Sequence, residues 1–405
     1  MIHYNKKLQP IFNTLLAHKI KPIIVGGFVR DSLLGISSKD IDIELYNLNS
    51  YEQLQKILQE FGSINSVGKS FGVCKLSFEK FELDFSFPRK DSKTTEGHKG
   101  FSIKIDAHLD FKTASSRRDF TINAMGFDIQ RKEILDPFGG LDDLNKNILR
   151  VVDTQKFAQD PLRVLRAMQF CARFNLIVEN ITLDICKKMI QEKMLTQLPK
   201  ERIFLEFEKL LTQAKKPSIG IKFLKTIDGF SYFTELNNTS LYQKKLDALD
   251  NLQDNQLHIK LLILSYDLSQ DALVNFLDKL TNDKRLIKKI ITLYKYRDIF
   301  LKTTTIDNYT LYKIAENVSI KEILSIHIAF QEKDIYNKIK IQAQNLGIYE
   351  KKLKALIEGK DLVALGLEPS AHFATILQNC YEAQMRGDFT TKEDGLKKIK
   401  VDLIP

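Results

Sequence analysis

Apolar and polar positions along the chain follow two regimes. Up to about Asp136, short β-rich runs alternate with segments of helical spacing. Ile23 to Val25, Ile41 to Leu45, Val73 to Phe78 and Phe81 to Phe87 read as strands, separated by Gly-Gly, Asn and Gly-rich breaks. Leu54 to Phe61 is apolar at helical spacing. After Leu141 the spacing is helical almost throughout, as in Pro161 to Phe174, Glu201 to Leu211, Leu257 to Leu268 and Ile323 to Phe330. There is no internal repeat and no low-complexity segment. Charge and turn clusters put boundaries near residues 145, 215 and 300. The pattern predicts an α+β segment followed by helical units.

Composition narrows this picture. A chain of 405 residues exceeds one ordinary core, and 43% hydrophobic residues suffice for several. A formal net charge of +10 favours a polyanionic partner, most simply nucleic acid, although a merely soluble basic protein has the same balance. The four cysteines, Cys74, Cys171, Cys186 and Cys380, are scattered in apolar or helical contexts, as expected of buried free thiols. The seven histidines show no metal-ligand spacing. The N-terminal residues lack a signal-peptide core and no apolar run approaches membrane-spanning length, so the expected location is cytoplasmic.

Candidate chemistry begins in VGGFVRDSLLGISSKDIDIEL, Val25 to Leu45. A strand ends in Gly26-Gly27, where backbone N–H groups can approach an anion with no Cβ in the way. A helix follows, whose N-terminus favours phosphate; Arg30 and Asp31 lie in its early turns. The next strand carries Asp40 and Asp42, and the i, i+2 spacing puts both carboxylates on one face. Two converging carboxylates suit Mg²⁺, which takes few protein oxygens and keeps sites for substrate phosphate. Alone, the acidic pair reads as the polar face of an edge strand and the Gly-Gly as an ordinary turn. At this spacing together they resemble polymerase-β-like nucleotidyltransferases. That resemblance implies a third carboxylate on a neighbouring strand; in FELDFSFPR it falls on Asp84 or, sharing its face, Glu82.

A second block, SRRDFTINAM from Ser116 to Met125, pairs Arg117 with Arg118. Their planar forks match triphosphate oxygens. Asp119 is placed to hold one of them, and Asn123 to position a ribose hydroxyl or cap a turn. With LDPFGGLDDL (Leu135 to Leu144), FAQDPLRVLRAMQFCARF (Phe157 to Phe174) and PKERIFLEFEKLL (Pro199 to Leu211), the chain resembles class II tRNA nucleotidyltransferases, the CCA-adding enzymes, and bacterial poly(A) polymerases. The likeness is dense from Ile23 to Leu211, thin from about 215 to 350, and recognisable again from Gly359 to Ile399.

The resemblance implies a polymerase-β-like catalytic head with a mixed β-sheet (1–145), a nucleobase-reading neck (146–215), a helical body (216–300) and a tRNA-binding tail (301–405). It implies addition of C, C and A to a tRNA 3′ end from CTP and ATP, with Mg²⁺ on Asp40 and Asp42. Gly26, Gly27, Arg30, Arg117, Arg118, Asp119 and Asn123 would serve the nucleotide, as would Arg166. Asp160 and Arg163, on one helix face by their i, i+3 spacing, would read the base edge. The family pattern has Glu before that Asp where this chain has Gln159. Residues 88 to 112 fit the family's mobile loop, whose length argues against a CC-only subtype. Tyr266-Asp267 stands where some relatives carry a metal-binding His-Asp pair, so no phosphohydrolase activity is expected. Lys284, Arg285, Lys288, Lys289, Lys295 and Arg297, interleaved with Tyr294 and Tyr296, and then Lys351, Lys352 and Lys354, offer surfaces for backbone phosphates. Gly359, Lys360, Pro369 and Ser370 are the candidates in the tail. Two alternatives stay open: an A-adding enzyme or poly(A) polymerase of the same family, and a catalytically silent RNA-binding protein.

Overall fold

The alternating run from Asp40 to Tyr46 forms the centre of a seven-stranded mixed sheet in a computed structural model. The structure describes residues 2–48, 50–65, 73–93, 101–237, 240–252, 255–301, 305–331, 333–369 and 372–403. Its elements open with α1 (Gln9–Ala17), β1 (Lys21–Val25), α2 (Gly27–Leu33), β2 (Asp40–Tyr46) and α3 (Tyr51–Leu58). Next come β3 (Ser63–Asn65), β4 (Val73–Phe78), β5 (Phe81–Ser86), β6 (Arg89–Lys93), β7 (Phe101–Ile105) and α4 (Phe111–Ser115). They are followed by β8 (Gly126–Asp128), β9 (Glu133–Leu135), α5 (Gly140–Asn145), β10 (Ile148–Leu149), α6 (Thr154–Phe157) and α7 (Leu162–Arg173). Then β11 (Ile177–Val178), α8 (Asn180–Gln191), α9 (Lys200–Gln213) and α10 (Pro217–Thr226) complete one compact unit, Met1–Asn237.

Strand order is β3-β4-β5-β2-β1-β8-β9, antiparallel throughout except for the parallel pair β2 and β5. Alternation along β2 buries Ile41, Ile43 and Leu45 on one face and turns Asp40, Asp42 and Glu44 to the other. The second face is partly covered: Ile23, Val25, Tyr46 and Ala114 pack together with Leu109, Phe111 and Leu135. Its other end stays open as a cleft.

The four expected strands are present within two residues of their expected ends. The helix expected over Leu54 to Phe61 runs Tyr51–Leu58. Two differences matter. The stretch 88 to 112, expected as a loop, contains the antiparallel ribbon β6–β7; residues 94–100 between them lie outside the described residues. The region after the sheet is not wholly helical, because β10 and β11 pair in parallel, a two-residue ladder too short to show a period.

The second unit, Asn238–Pro405, is helical. It comprises α11 (Tyr242–Asn251), α12 (Leu257–Leu264), α13 (Gln270–Leu280), α14 (Lys284–Tyr296), α15 (Asn308–Asn317), α16 (Ile320–Ala329), α17 (Lys333–Asn345), α18 (Gly359–Ala364), α19 (His372–Arg386) and α20 (Lys392–Leu403). Asp267 accepts from the buried Lys245 ammonium at 2.6 Å and from the Leu241 N–H, and Tyr266 donates to Asp298. Burial lowers the Lys245 pKa and Asp267 opposes it. At the expected His-Asp position, Asp267 thus neutralises a buried cation, while Tyr266 is bonded to Asp298. Cys74, Cys171 and Cys186 are buried free thiols; Cys380 is half-buried. Among the described residues, no helix is long and apolar enough to cross a membrane.

Candidate active site

Chain direction reverses where β1 meets α2, and the hinge is Gly26 at φ +72°. Its left-handed conformation suits a residue without Cβ. A second constraint comes from space: a Cβ at Gly26 would stand 2.7 Å from Arg118 Nη1. Gly27 is different, since a Cβ there meets only Arg30 Nη2 at 3.5 Å.

Asp40 and Asp42 line the open end of the polar face of β2. The register of β2 on β5 sets Asp84 opposite Asp42 and Glu82 opposite Asp40. Asp84 is also engaged by Lys75 at 2.8 Å, and Glu82 accepts from Ser77. Crowding by protein atoms pushes the Asp42 carboxyl up; Arg118 opposes, while Asp84, Glu44 and Asp40 add to the rise. This surplus of negative charge on hard oxygen donors fits a small divalent cation. Asp40 and Asp42 are the expected pair; among the described residues, no group of three or more His, Cys, Asp or Glu is arranged to hold a metal.

The carboxylate that holds Arg117 and Arg118 is Glu44, which the sequence reading passed over. Its Oε1 accepts from Arg117 Nη2 at 3.0 Å and Arg118 Nη2 at 3.3 Å. The expectation that Asp119 holds one of that pair is corrected. Asp119 Oδ2 accepts from Arg166 Nε at 2.6 Å, and its Oδ1 accepts from Asn123 Nδ2 at 3.1 Å. Burial pushes the Asp119 carboxyl up, but Arg166, Asn123 and Arg163 outweigh it and hold the group below its ordinary value. Asn123 Oδ1 in turn accepts from Arg30 at 2.5 Å, and Arg30 also forks onto Asp31 at 2.6 and 2.9 Å. Arg30 is 4% exposed and stacks over Phe174 at 4.3 Å. Its donors and those of Asn123 are therefore directed into a brace joining α2, the 3₁₀ turn Thr121–Asn123 and α7.

Helix α7 and the turn leading into it also line one side of the cleft. Asp160 Oδ1 caps the Leu162 N–H at 3.1 Å, and Arg163 Nη2 donates to the Arg117 carbonyl at 2.6 Å. The pair expected to read a base is thereby tied to the pair expected to hold a triphosphate. A cleft of about 450 Å³ is lined by Gly27, Asp42, Arg117, Arg118, Asp160, Arg163 and their neighbours. Arg173, Arg202 and Lys209, which the sequence reading did not single out, also line it. Eight cationic side chains face three carboxylates there, an excess suited to a polyphosphate.

A groove of about 570 Å³ lies within the second unit. It brings together two basic sets distant in sequence: Arg285, Lys288 and Lys289 on α14, and Lys351 and Lys352. Glu322 and Glu350 interrupt the charge, with Lys289 bonded to Glu322 at 2.8 Å. Tyr294 does not join this surface. It is 8% exposed, donates to the Leu268 carbonyl, and carries Arg297 over its ring at 3.7 Å. In the tail, Lys360 pairs with Glu358, Gly359 opens α18, and Pro369 is exposed; Ser370 lies outside the described residues.

Sheet, cleft and paired acidic and arginine clusters come together within the first unit. Residues 23–150 match the family described as Poly A polymerase head domain, and residues 250–399 match tRNA nucleotidyltransferase domain 2, putative. The Multifunctional CCA protein of Neisseria gonorrhoeae strain NCCP11945 is 36% identical over 202 residues, covering 50% of this chain and 47% of that protein. That of Haemophilus ducreyi is 34% identical over 211 residues, covering 51% and 49%. The chain thus spans about half the length of the curated relatives it matches. A CCA-adding enzyme in apo form superposes with a TM-score of 0.74 at 22% identity, covering 99% of this chain and 97% of that one. A Thermotoga maritima CCA-adding enzyme complexed with tRNA gives 0.70 at 22% identity, with 99% and 97% covered. The fold of the whole chain is that of these enzymes.

Proposed function

We propose that the protein adds C, C and A to the 3′ end of tRNA without a template, using CTP and ATP. The 3′-hydroxyl attacks the α-phosphorus, a new P–O bond forms, the α–β bridge breaks and pyrophosphate leaves. The observation that carries this reading is the single cleft in which Asp42, the Arg117–Arg118 fork and the Asp160–Arg163 pair meet. The curated relatives named CCA proteins and the neighbours solved with CTP and with ATP support it.

In this reading Asp40 and Asp42 would hold Mg²⁺, with Asp84 opposite. The ion, when bound, neutralises charge developing on phosphate oxygens. Gly26 and Gly27 let backbone approach the triphosphate, and Arg117 and Arg118 bind it. Asp160 and Arg163 face the base edge, offering an acceptor beside a donor fork. Arg30, Asp119, Asn123 and Arg166 keep that wall rigid. Catalysis is then mainly positioning and charge neutralisation. Residues 1–145 act as head, 146–215 as neck, 216–300 as body and 301–405 as the tRNA-binding tail, working in the cytoplasm.

The test uses tRNA transcripts ending before CCA, after C and after CC, each supplied with CTP, ATP or both, and sequences the products. Completion of CCA from all three is the expected result. Addition of A alone, or of a long A tract, would assign the chain to another activity of the same head.

A further inference from the structure

Glu44 is 0% exposed, in the polar face of the strand that carries Asp40 and Asp42. A carboxylate removed from water needs compensating partners. Three donors provide them: Arg117 and Arg118 converge on Oε1, and the Tyr46 hydroxyl donates to Oε2 at 3.1 Å. Two guanidinium groups drawn to one oxygen repel each other; the charge between them holds them side by side. Both arginines also line the cleft, and Arg118 lies against Gly26 and beside Asp42. Glu44 is itself behind them and does not line the cleft.

We infer that Glu44 is a positioning residue for nucleotide binding, fixing Arg117 and Arg118 as a preset fork for the triphosphate. This role rests on the nucleotidyl-transfer reading above. An unanchored arginine loses rotamer freedom when it meets a polyphosphate, whereas an anchored one has already lost it in folding. Donors held before substrate arrives also need no reorganisation during reaction. The carboxylate acts through the arginines, so it governs affinity for the phosphate chain more than the bond-making step.

Inorganic tripolyphosphate is the probe, titrated calorimetrically into the full-length protein as wild type, Glu44→Gln and Tyr46→Phe. Glutamine keeps the shape and one acceptor but removes the charge. Its tripolyphosphate affinity should fall about 10-fold or more, the loss of a charge-assisted contact. KM for CTP and ATP should rise by a similar factor while kcat changes less. Tyr46→Phe should shift affinity in the same direction by about threefold. In an Arg118→Lys background the effect of Glu44→Gln should shrink, since the fork it aligns is already broken. A folded Glu44→Gln protein with wild-type tripolyphosphate affinity and wild-type KM overturns the inference. If Glu44→Gln does not fold, unchanged affinity in Tyr46→Phe overturns it instead. The two readings fail separately: a wild type that transfers no nucleotide removes the proposed reaction and this role with it. A wild type that transfers normally beside an indifferent Glu44→Gln removes only the role of Glu44.

Discussion

Asp42 is exposed at the open end of β2 yet crowded by protein atoms, which, with Asp84, Glu44 and Asp40, disfavour its charged form while Arg118 opposes them. Its folded pKa is raised, so the fold binds that proton more tightly than the unfolded chain does. The corresponding stability is present at low pH and lost as pH rises through the raised value. Asp42→Asn should therefore raise Tm near neutral pH in the absence of divalent ions. Mg²⁺ or Mn²⁺ should raise the Tm of the wild type and not of the variant, and nucleotide addition should be lost with the fold intact. A variant that responds to the metal like the wild type removes Asp42 from the metal site. Arg163 offers a different test. Its Nη2 is tied to the Arg117 carbonyl, and its side chain lines the cleft beside Asp160. Arg163→Ala should reduce discrimination of CTP and ATP against GTP and UTP by about 5- to 150-fold, the span of one bidentate base contact. Single-nucleotide incorporation with each triphosphate alone measures this. Equal slowing of all four would make Arg163 a support for Arg117 and nothing more.

Between β1 and α2 the two glycines carry different constraints. Gly26→Ala meets both the left-handed backbone, a strain of about 1–2 kcal/mol, and the Arg118 guanidinium at 2.7 Å from the new Cβ. Lower Tm and a raised KM for CTP and ATP are expected together. Gly27→Ala enters a helix with ordinary contacts and should leave Tm nearly unchanged, while its Cβ at the cleft wall should raise KM for CTP and ATP. Thermal melts and steady-state kinetics on the two variants compare them directly. The brace among α2, the Thr121–Asn123 turn and α7 centres on Asp119. Asp119→Ala leaves Arg166 without its carboxylate partner and should cost about 3 kcal/mol of stability. Because the Asp119 carboxyl is held below its ordinary value, its contribution is present above the ordinary carboxylate range and lost as pH falls through the lowered value. The gap between variant and wild type in denaturant melts should accordingly narrow in acid.

For the whole molecule, a net charge of +10 becomes useful only where cations are gathered. The second unit gathers Arg285, Lys288, Lys289, Lys351 and Lys352 around one groove, and the first gathers eight cations in its cleft. If the groove meets RNA backbone, Lys288→Ala and Lys351→Ala should weaken tRNA binding for all sequences alike. Each should also reduce the slope of log affinity against log salt by about 1. Filter-binding or fluorescence titrations across salt provide the slope, and an unchanged slope removes these lysines from the contact.

Local periodicity determined much of this protein. The period of two put Asp40 and Asp42 on one strand face, which depends on no distant residue. Asp160, expected on one helix face with Arg163, instead precedes α7 and caps its first turn, and both line the cleft. Gly-Gly marked the hinge, because backbone conformation and close approach are local demands. The partners of the charged groups were not legible. Asp84 and Glu82 share a face, so sequence spacing could not rank them; the β2–β5 register set Asp84 opposite Asp42. Asp119 follows two arginines in sequence yet pairs with Arg166, 47 residues away, while the arginines turn to Glu44, over 70 residues away. Glu44 looked like another polar position on a strand, and Tyr294 like a surface aromatic, until packing buried both. Alternation fixes which side of an element a residue occupies. What lies on that side, and whether water reaches it, follows from long-range pairing, and that only the tertiary structure decided.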